Sequence, residues 1–250
     1  MAVEFGPRVA NEGLVFAFDS ASNFSYGGYG TTINGLAAGV DASLTNGADH
    51  QGYSLLVENN GGYVMLDGAD DYIQTNDITL DSNRITVDCF VRAGTATTAQ
   101  VLFEFSNNFT SVNDGFLVSY YDTYSGITSD LLISRKGDYG MNMRAYSKGL
   151  LPPDSWRHLC VQFDETQLVS DRNILYINTE KQPPSQPQSG HNADNSGTNF
   201  GTHKLCIGGR YGGAAGPFLG DIASLRVYNR LLSDDEIRSN YLALKNRFGL

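Results

Sequence analysis

The sequence is short of charge, tryptophan, cysteine and long apolar runs, and each shortage narrows what the chain can be. Only 18% of its 250 residues are charged, and they sum to −10. A surplus of acid repels a polyanion, so nucleic acid is not an expected partner. No apolar stretch reaches the roughly 18 residues of a membrane-spanning helix. Met1 to Phe5 has neither the basic start nor the apolar core of an export leader. Membrane insertion and passage through an oxidising pathway are therefore not expected. The three cysteines, Cys89, Cys160 and Cys206, are odd in number and each sits in a strand-like segment. They read as small buried hydrophobes kept reduced. No cysteine pair has the close spacing of a zinc site, and the four histidines are scattered.

Catalytic groupings are missing as well. No Gly-x-Ser-x-Gly turn offers a nucleophile. Hydrolysis of a glycosidic bond needs two carboxylates, and Glu104, between Phe103 and Phe105, has no second acid within a few residues. The chain reads as a protein that is not an enzyme.

What is present is strand material. There are 28 Gly, 13 Phe and 14 Tyr, and 41% of residues are hydrophobic, enough for a sizeable core. Arg84 to Arg92 alternates, with Ile85, Val87, Cys89 and Val91 on one face and Asp88 and Arg92 on the other. Similar runs recur from Gly13 to Phe18 through Lys204 to Gly208, separated by Gly, Asn, Asp or Ser. Residues 20 to 52 read as loop, and Lys181 to Thr202, rich in Pro, Ser, Gln and Asn, reads as a long polar loop whose one core-forming residue is Phe200. A last strand starts at Phe218 and is expected to put Phe218, Ile222, Ser224, Arg226 and Tyr228 on one face. Ser233 to Glu236 then forms a capping box, and Ile237, Tyr241, Leu244 and Phe248 follow at helical spacing. The pattern predicts an all-β, two-sheet antiparallel sandwich with a short C-terminal helix that docks on it. Residues 1–12 form an N-terminal arm and 13–250 one domain.

The closing run Gly220, Ile222, Arg226, Tyr228, Asn229, Arg230, Leu232, Ser233, Glu236, Ile237 resembles the end of the laminin-G-like, concanavalin-A-like jelly rolls. Leu66-Asp67-Gly68-Ala69-Asp70-Asp71-Tyr72-Ile73 and Trp156 to Asp164, followed by Leu175 to Asn178, are similar to two further landmarks of that family. The resemblance covers most of the chain and implies the concanavalin A-like sandwich. Sugar hydrolases of related fold carry a Glu-x-Asp-x-Glu cluster, which this sequence lacks. His158 falls where the family motif has a structural histidine, and Trp156 reads as a core plug.

The resemblance also implies candidate sites. Many such domains hold one Ca²⁺ at the sandwich rim, and Asp67, Asp70 and Asp71 are the candidate ligands, with Asp19 or Asp49 approaching from elsewhere. Against calcium, Ala223 stands where calcium-competent members often carry Asp; otherwise these acids cap turns, and no cofactor is expected. Loop tyrosines that could stack on sugar rings are Tyr26, Tyr29, Tyr120, Tyr121, Tyr124 and Tyr211, with Arg210 beside the last. The opening Gly6 to Val15 and the finish from Asn240 to Leu250 look like the version found in tailed bacteriophages. That implies a virion structural protein, a capsid decoration, head-fibre or tail-fibre component. It would assemble in the host cytoplasm as a homo-oligomer among other virion proteins, with a host glycan as a further partner. The alternative is a lectin-like carbohydrate-binding module that is not primarily structural.

Overall fold

The computed structural model describes residues 7–27, 30–46, 62–109, 111–112, 114–124, 127–137, 140–184, 199–210 and 212–250. Its strands run β1 Leu14–Asp19, β2 Thr32–Ile33, β3 Ala42–Thr45, β4 Val64–Asp67, β5 Tyr72–Thr75 and β6 Ile78–Ser82. They continue with β7 Arg84–Ala93, β8 Gln100–Phe105, β9 Phe116–Tyr124, β10 Ile127–Gly137, β11 Gly140–Tyr146 and β12 Trp156–Asp164. The last are β13 Asn173–Ile177, β14 Glu180–Gln182, β15 Phe200–His203, β16 Leu205–Ile207 and β17 Leu219–Tyr228. A helix, α1, spans Asp234–Leu244.

Two antiparallel sheets face each other. One has the order β1-β17-β7-β12-β13-β14, with β4 also on β17; the other runs β11-β10-β9-β8-β16-β5-β3-β2, and β15 pairs β6 apart from both. Alternation explains the core between them. Ile85, Val87, Cys89 and Val91 of β7 point inward against Phe103, Phe105, Phe116 and Val118 from the opposite sheet. Among the described residues no helix is long and apolar enough to cross a membrane.

Several expectations are corrected. Residues 20 to 52 are not all loop, because Ala42–Thr45 pairs onto β5 and Thr32–Ile33 onto Ala42–Thr45, forming the edge of the larger sheet. Lys181 and Gln182 belong to β14, and Phe200 to His203 forms β15, so the polar loop is shorter at both ends. Phe200 is fully buried, as expected. The faces of β17 do not alternate throughout. Ile222 pairs Val91 and Ser224 pairs Phe90, leaving Ala223 as an extra residue in a bulge. The bulge resets the phase: Phe218, Ile222, Leu225 and Val227 join the core, whereas Ala223 and Tyr228 lie on the outer face.

That outer face is covered by the C-terminal segment. Ser233 and Glu236 form the predicted capping box, and Ile237 is buried against Cys160, Tyr176 and Tyr228. The helix stops at Leu244, and Phe248 arrives through a 3-10 turn, Lys245–Phe248. Phe248 packs on Phe90 and Trp156 with ring centroids 4.9 and 4.6 Å away. Trp156 is thus a buried plug, closed on its other side by Tyr63 at 5.5 Å. Under this lid Asp88 accepts from His158 at 2.7 Å and from Arg226 at 3.3 Å. Burial works to raise the Asp88 pKa, but the His158 and Arg226 charges and the hydrogen bonds of His158 and Asn240 outweigh it and hold the carboxyl low. Asn240 accepts from the Ala10 amide at 2.8 Å, and Tyr228 donates to the Ala10 carbonyl at 3.0 Å. The end of the N-terminal arm is therefore tied to the body at Ala10.

Candidate functional site

Strand register brings some of the candidate residues together at one end of the sandwich. Leu219 pairs Asp67, Gly94 donates to the Leu219 carbonyl at 2.8 Å, and Tyr120 reaches the Gly94 carbonyl at 3.3 Å. The Asp67 to Asp71 turn, the loops flanking Gly94 and Leu151, and the Gly208 to Gly216 loop therefore share a rim. Tyr29, Asp49, Tyr211 and the Tyr124 side chain lie outside the described residues.

The acidic turn is built on its own amides. Asp67 Oδ1 accepts from the Ala69 and Asp70 amides at 2.8 and 3.4 Å, and Asp71 Oδ2 accepts from the Asp67 amide at 3.2 Å. Asn46 donates to the Asp70 carbonyl at 2.9 Å. The three carboxylates bring ligand atoms within 4.8 Å of one another, which suits a hard cation in kind. A calcium ion takes six to eight oxygens, however, and part of this set already faces amide hydrogens. Ala223 packs beneath the C-terminal segment with Phe90 and Trp156, and Asp19 is held by Arg247 through two hydrogen bonds of 2.8 and 2.9 Å. The turn's geometry is that of an amide-capped loop.

The Gly208 to Gly216 loop folds back over the outer face of the larger sheet. A Cβ on Gly213, whose φ is +86°, would run into the Tyr72 ring, so glycine allows this approach. Arg210 does not stand free in the loop. Its Nε lies 2.7 Å from Glu104 Oε2, and its guanidinium sits 6.0 Å from the centre of the Phe109 ring. The other oxygen of Glu104 accepts from Ser106 Oγ at 2.5 Å and the Phe109 amide at 3.2 Å. Glu104 is fully buried, so the acid in the middle of this face is closed off by its own partners.

The tyrosines divide. Tyr26 is 5% exposed: its ring belongs to the main core and its hydroxyl donates to the Gly30 carbonyl at 2.8 Å. This corrects its reading as a stacking platform. Tyr120 is likewise buried, and its hydroxyl carries a raised pKa, through burial first and then the Asp130 charge. Tyr121 is half-buried against the core, with Lys148 Nζ 5.5 Å from its ring centre. Among the described residues the aromatic side chain that reaches solvent is a different one. Phe24 is 86% exposed, two residues from Tyr26 and on the same turn.

A family model for the concanavalin A-like lectin/glucanases superfamily matches residues 67–238, more than half of the chain. The chain belongs to this superfamily. No curated protein matches it in sequence, but solved structures resemble it in fold. The receptor-binding domain of botulinum neurotoxin mosaic serotype C/D is similar with a TM-score of 0.61 and 12% identity, over 92% of this chain and 50% of that one. A sialidase from Trypanosoma rangeli gives 0.56 and 15%, over 96% of this chain and 34% of the sialidase. Domain 4 of an extracellular arabinanase from Geobacillus stearothermophilus, solved in complex with arabinotriose, gives 0.53 and 18%, over 93% of this chain and 100% of that domain. This member of the superfamily therefore spans about a third of the sialidase and half of the toxin fragment. At these identities the likeness is one of fold.

Proposed function

We propose that the chain is a carbohydrate-binding module that acts by presenting a surface and does not turn over its ligand. The observation that carries the non-catalytic half is Glu104. Most glycosidases use an acid and a second carboxylate with access to substrate, and the oxygens of Glu104 are taken by Ser106, Phe109 and Arg210 under a folded-back loop. Superfamily membership and a fold shared with an arabinotriose-bound domain support the binding half. The test is a glycan array probed with the purified chain: saturable binding to a defined oligosaccharide is expected, and a blank array contradicts the proposal.

A second reading sets the same module on a tailed-bacteriophage particle as a decoration, head-fibre or tail-fibre component in homo-oligomeric form. What favours it is the likeness of the Gly6 to Val15 and Asn240 to Leu250 segments to the phage versions. The Ala10–Asn240 bond joins those two segments in one structural unit. Copurification with intact particles in stoichiometric copy number would support it; absence from particles would remove it and leave the binding module standing.

A further inference from the structure

We infer that Phe24 is the stacking platform of a binding site for a neutral sugar ring, formed by the described residues 20–27 and 30–40. The inference rests on the carbohydrate-binding reading and assigns it a place and a ligand class. Phe24 is the most exposed large hydrophobic side chain among the described residues, at 86%. The backbone around it is fastened on all sides. The Ser25 and Tyr26 amides both donate to the Ser22 carbonyl at 2.9 Å. Ser25 Oγ accepts from the Asp19 amide and donates to the Asn34 carbonyl, each at 3.2 Å. The Tyr26 ring is sunk in the core as an anchor. A turn so secured could have turned an aromatic ring inward, as it does for Tyr26, yet it holds Phe24 in water. Such pre-organisation is what a binding loop needs, because little ordering is left for the ligand to impose.

The surroundings decide the class of ligand. The Asn34 amide bonds the Ser25 carbonyl at 2.7 Å, which draws the two limbs of the segment together. Asn23, Thr31, Thr32 and Asn34 are exposed on it, and Leu36 is 44% exposed. No charged residue or histidine stands between Asp19 and Asp41, in a chain whose net charge is −10. Asp19 itself is neutralised by Arg247. An exposed aromatic face on a segment whose exposed polar side chains are amides and hydroxyls matches a sugar ring, which offers a C–H face to stack and hydroxyls that both donate and accept. A carboxylated sugar would find no cationic side chain belonging to this segment and would approach against the protein's net charge of −10.

The experiment compares the intact chain with Phe24→Ala and Phe24→Trp on an array of neutral arabino-, gluco- and galacto-oligosaccharides alongside sialylated ones, followed by titration of the best binder. The expected result is binding of a neutral oligosaccharide, weakened roughly tenfold or more by Phe24→Ala and retained by Phe24→Trp. Melting temperatures should not change, since the ring is in water. Equal binding by Phe24→Ala would overturn this site while leaving the carbohydrate-binding reading intact. Binding confined to sialylated glycans would overturn the neutral class. No binding by the wild-type chain removes both readings. A change of oligomeric state on size exclusion in Phe24→Ala would make the patch a protein interface and overturn the inference.

Discussion

Arg210 closes on the buried Glu104 at 2.7 Å, and this pair fastens the Gly208 to Gly216 loop to the face of the larger sheet between the Gly208–Leu102 and Val101–Gly216 backbone bonds at its two ends. The loop is glycine-rich because its backbone must lie on the Tyr72 ring and beside Gln74. The pair therefore both orders the rim and removes the central acid from solvent, so its loss should be read in stability.

Arg210→Ala leaves Glu104 buried without its cation and is expected to cost about 3 kcal/mol, at the low end for a broken buried pair. Adding Glu104→Gln should restore part of that loss, because the amide oxygen still accepts from Ser106 and the Phe109 amide. Urea denaturation of the two variants checks this. A double variant no more stable than Arg210→Ala would contradict it.

Phe248→Ala should destabilise by about 3 kcal/mol, the range for a large core truncation, because its ring fills the space between Phe90 and Trp156. Tyr241, stacked parallel to Phe90 at 6.4 Å but only partly buried, should cost about half as much. An unchanged melting temperature in Phe248→Ala would mean that the C-terminal segment does not dock on the isolated chain.

Arg230 grips Glu236 through hydrogen bonds of 2.9 and 2.6 Å, and chiefly for that reason the Glu236 carboxyl is lowered to about 2. Folding depresses this pKa, so its contribution is complete above the unfolded value of about 4.3 and is lost as pH falls through about 2. The stability gap between wild type and Arg230→Ala should therefore narrow from pH 5 down to pH 2. A gap that stays constant over that window would contradict the assignment.

The described turn at Asp67 to Asp71 directs carboxylate oxygens to its own amides. Millimolar chelator is accordingly expected to leave the melting temperature unchanged. A fall on chelation, reversed by calcium, would show linkage to a bound ion and make this turn its site.

Much of this architecture was legible because it is local. The capping box needs only Ser233 and Glu236, and the core face of β7 needs only the spacing of Ile85, Val87, Cys89 and Val91. What could not be read depends on the third dimension. The bulge at Ala223 swaps faces without a sequence mark, and Phe90 and Asp88 are buried because a helix well over a hundred residues later covers them. Short edge strands such as Thr32–Ile33 carry too few residues for a period. In the first loop the composition marked an aromatic contact region but not which ring turns out. Tyr26 is drawn into the core and Phe24 is left outside, and polarity alone would have chosen the opposite.

The most direct test of the account is a time course of the wild-type chain with the oligosaccharide it binds best, followed by mass spectrometry and by direct binding in the same samples. Saturable binding with the oligosaccharide recovered at its original length is the predicted result. Shortened products that accumulate in proportion to protein and time would contradict it.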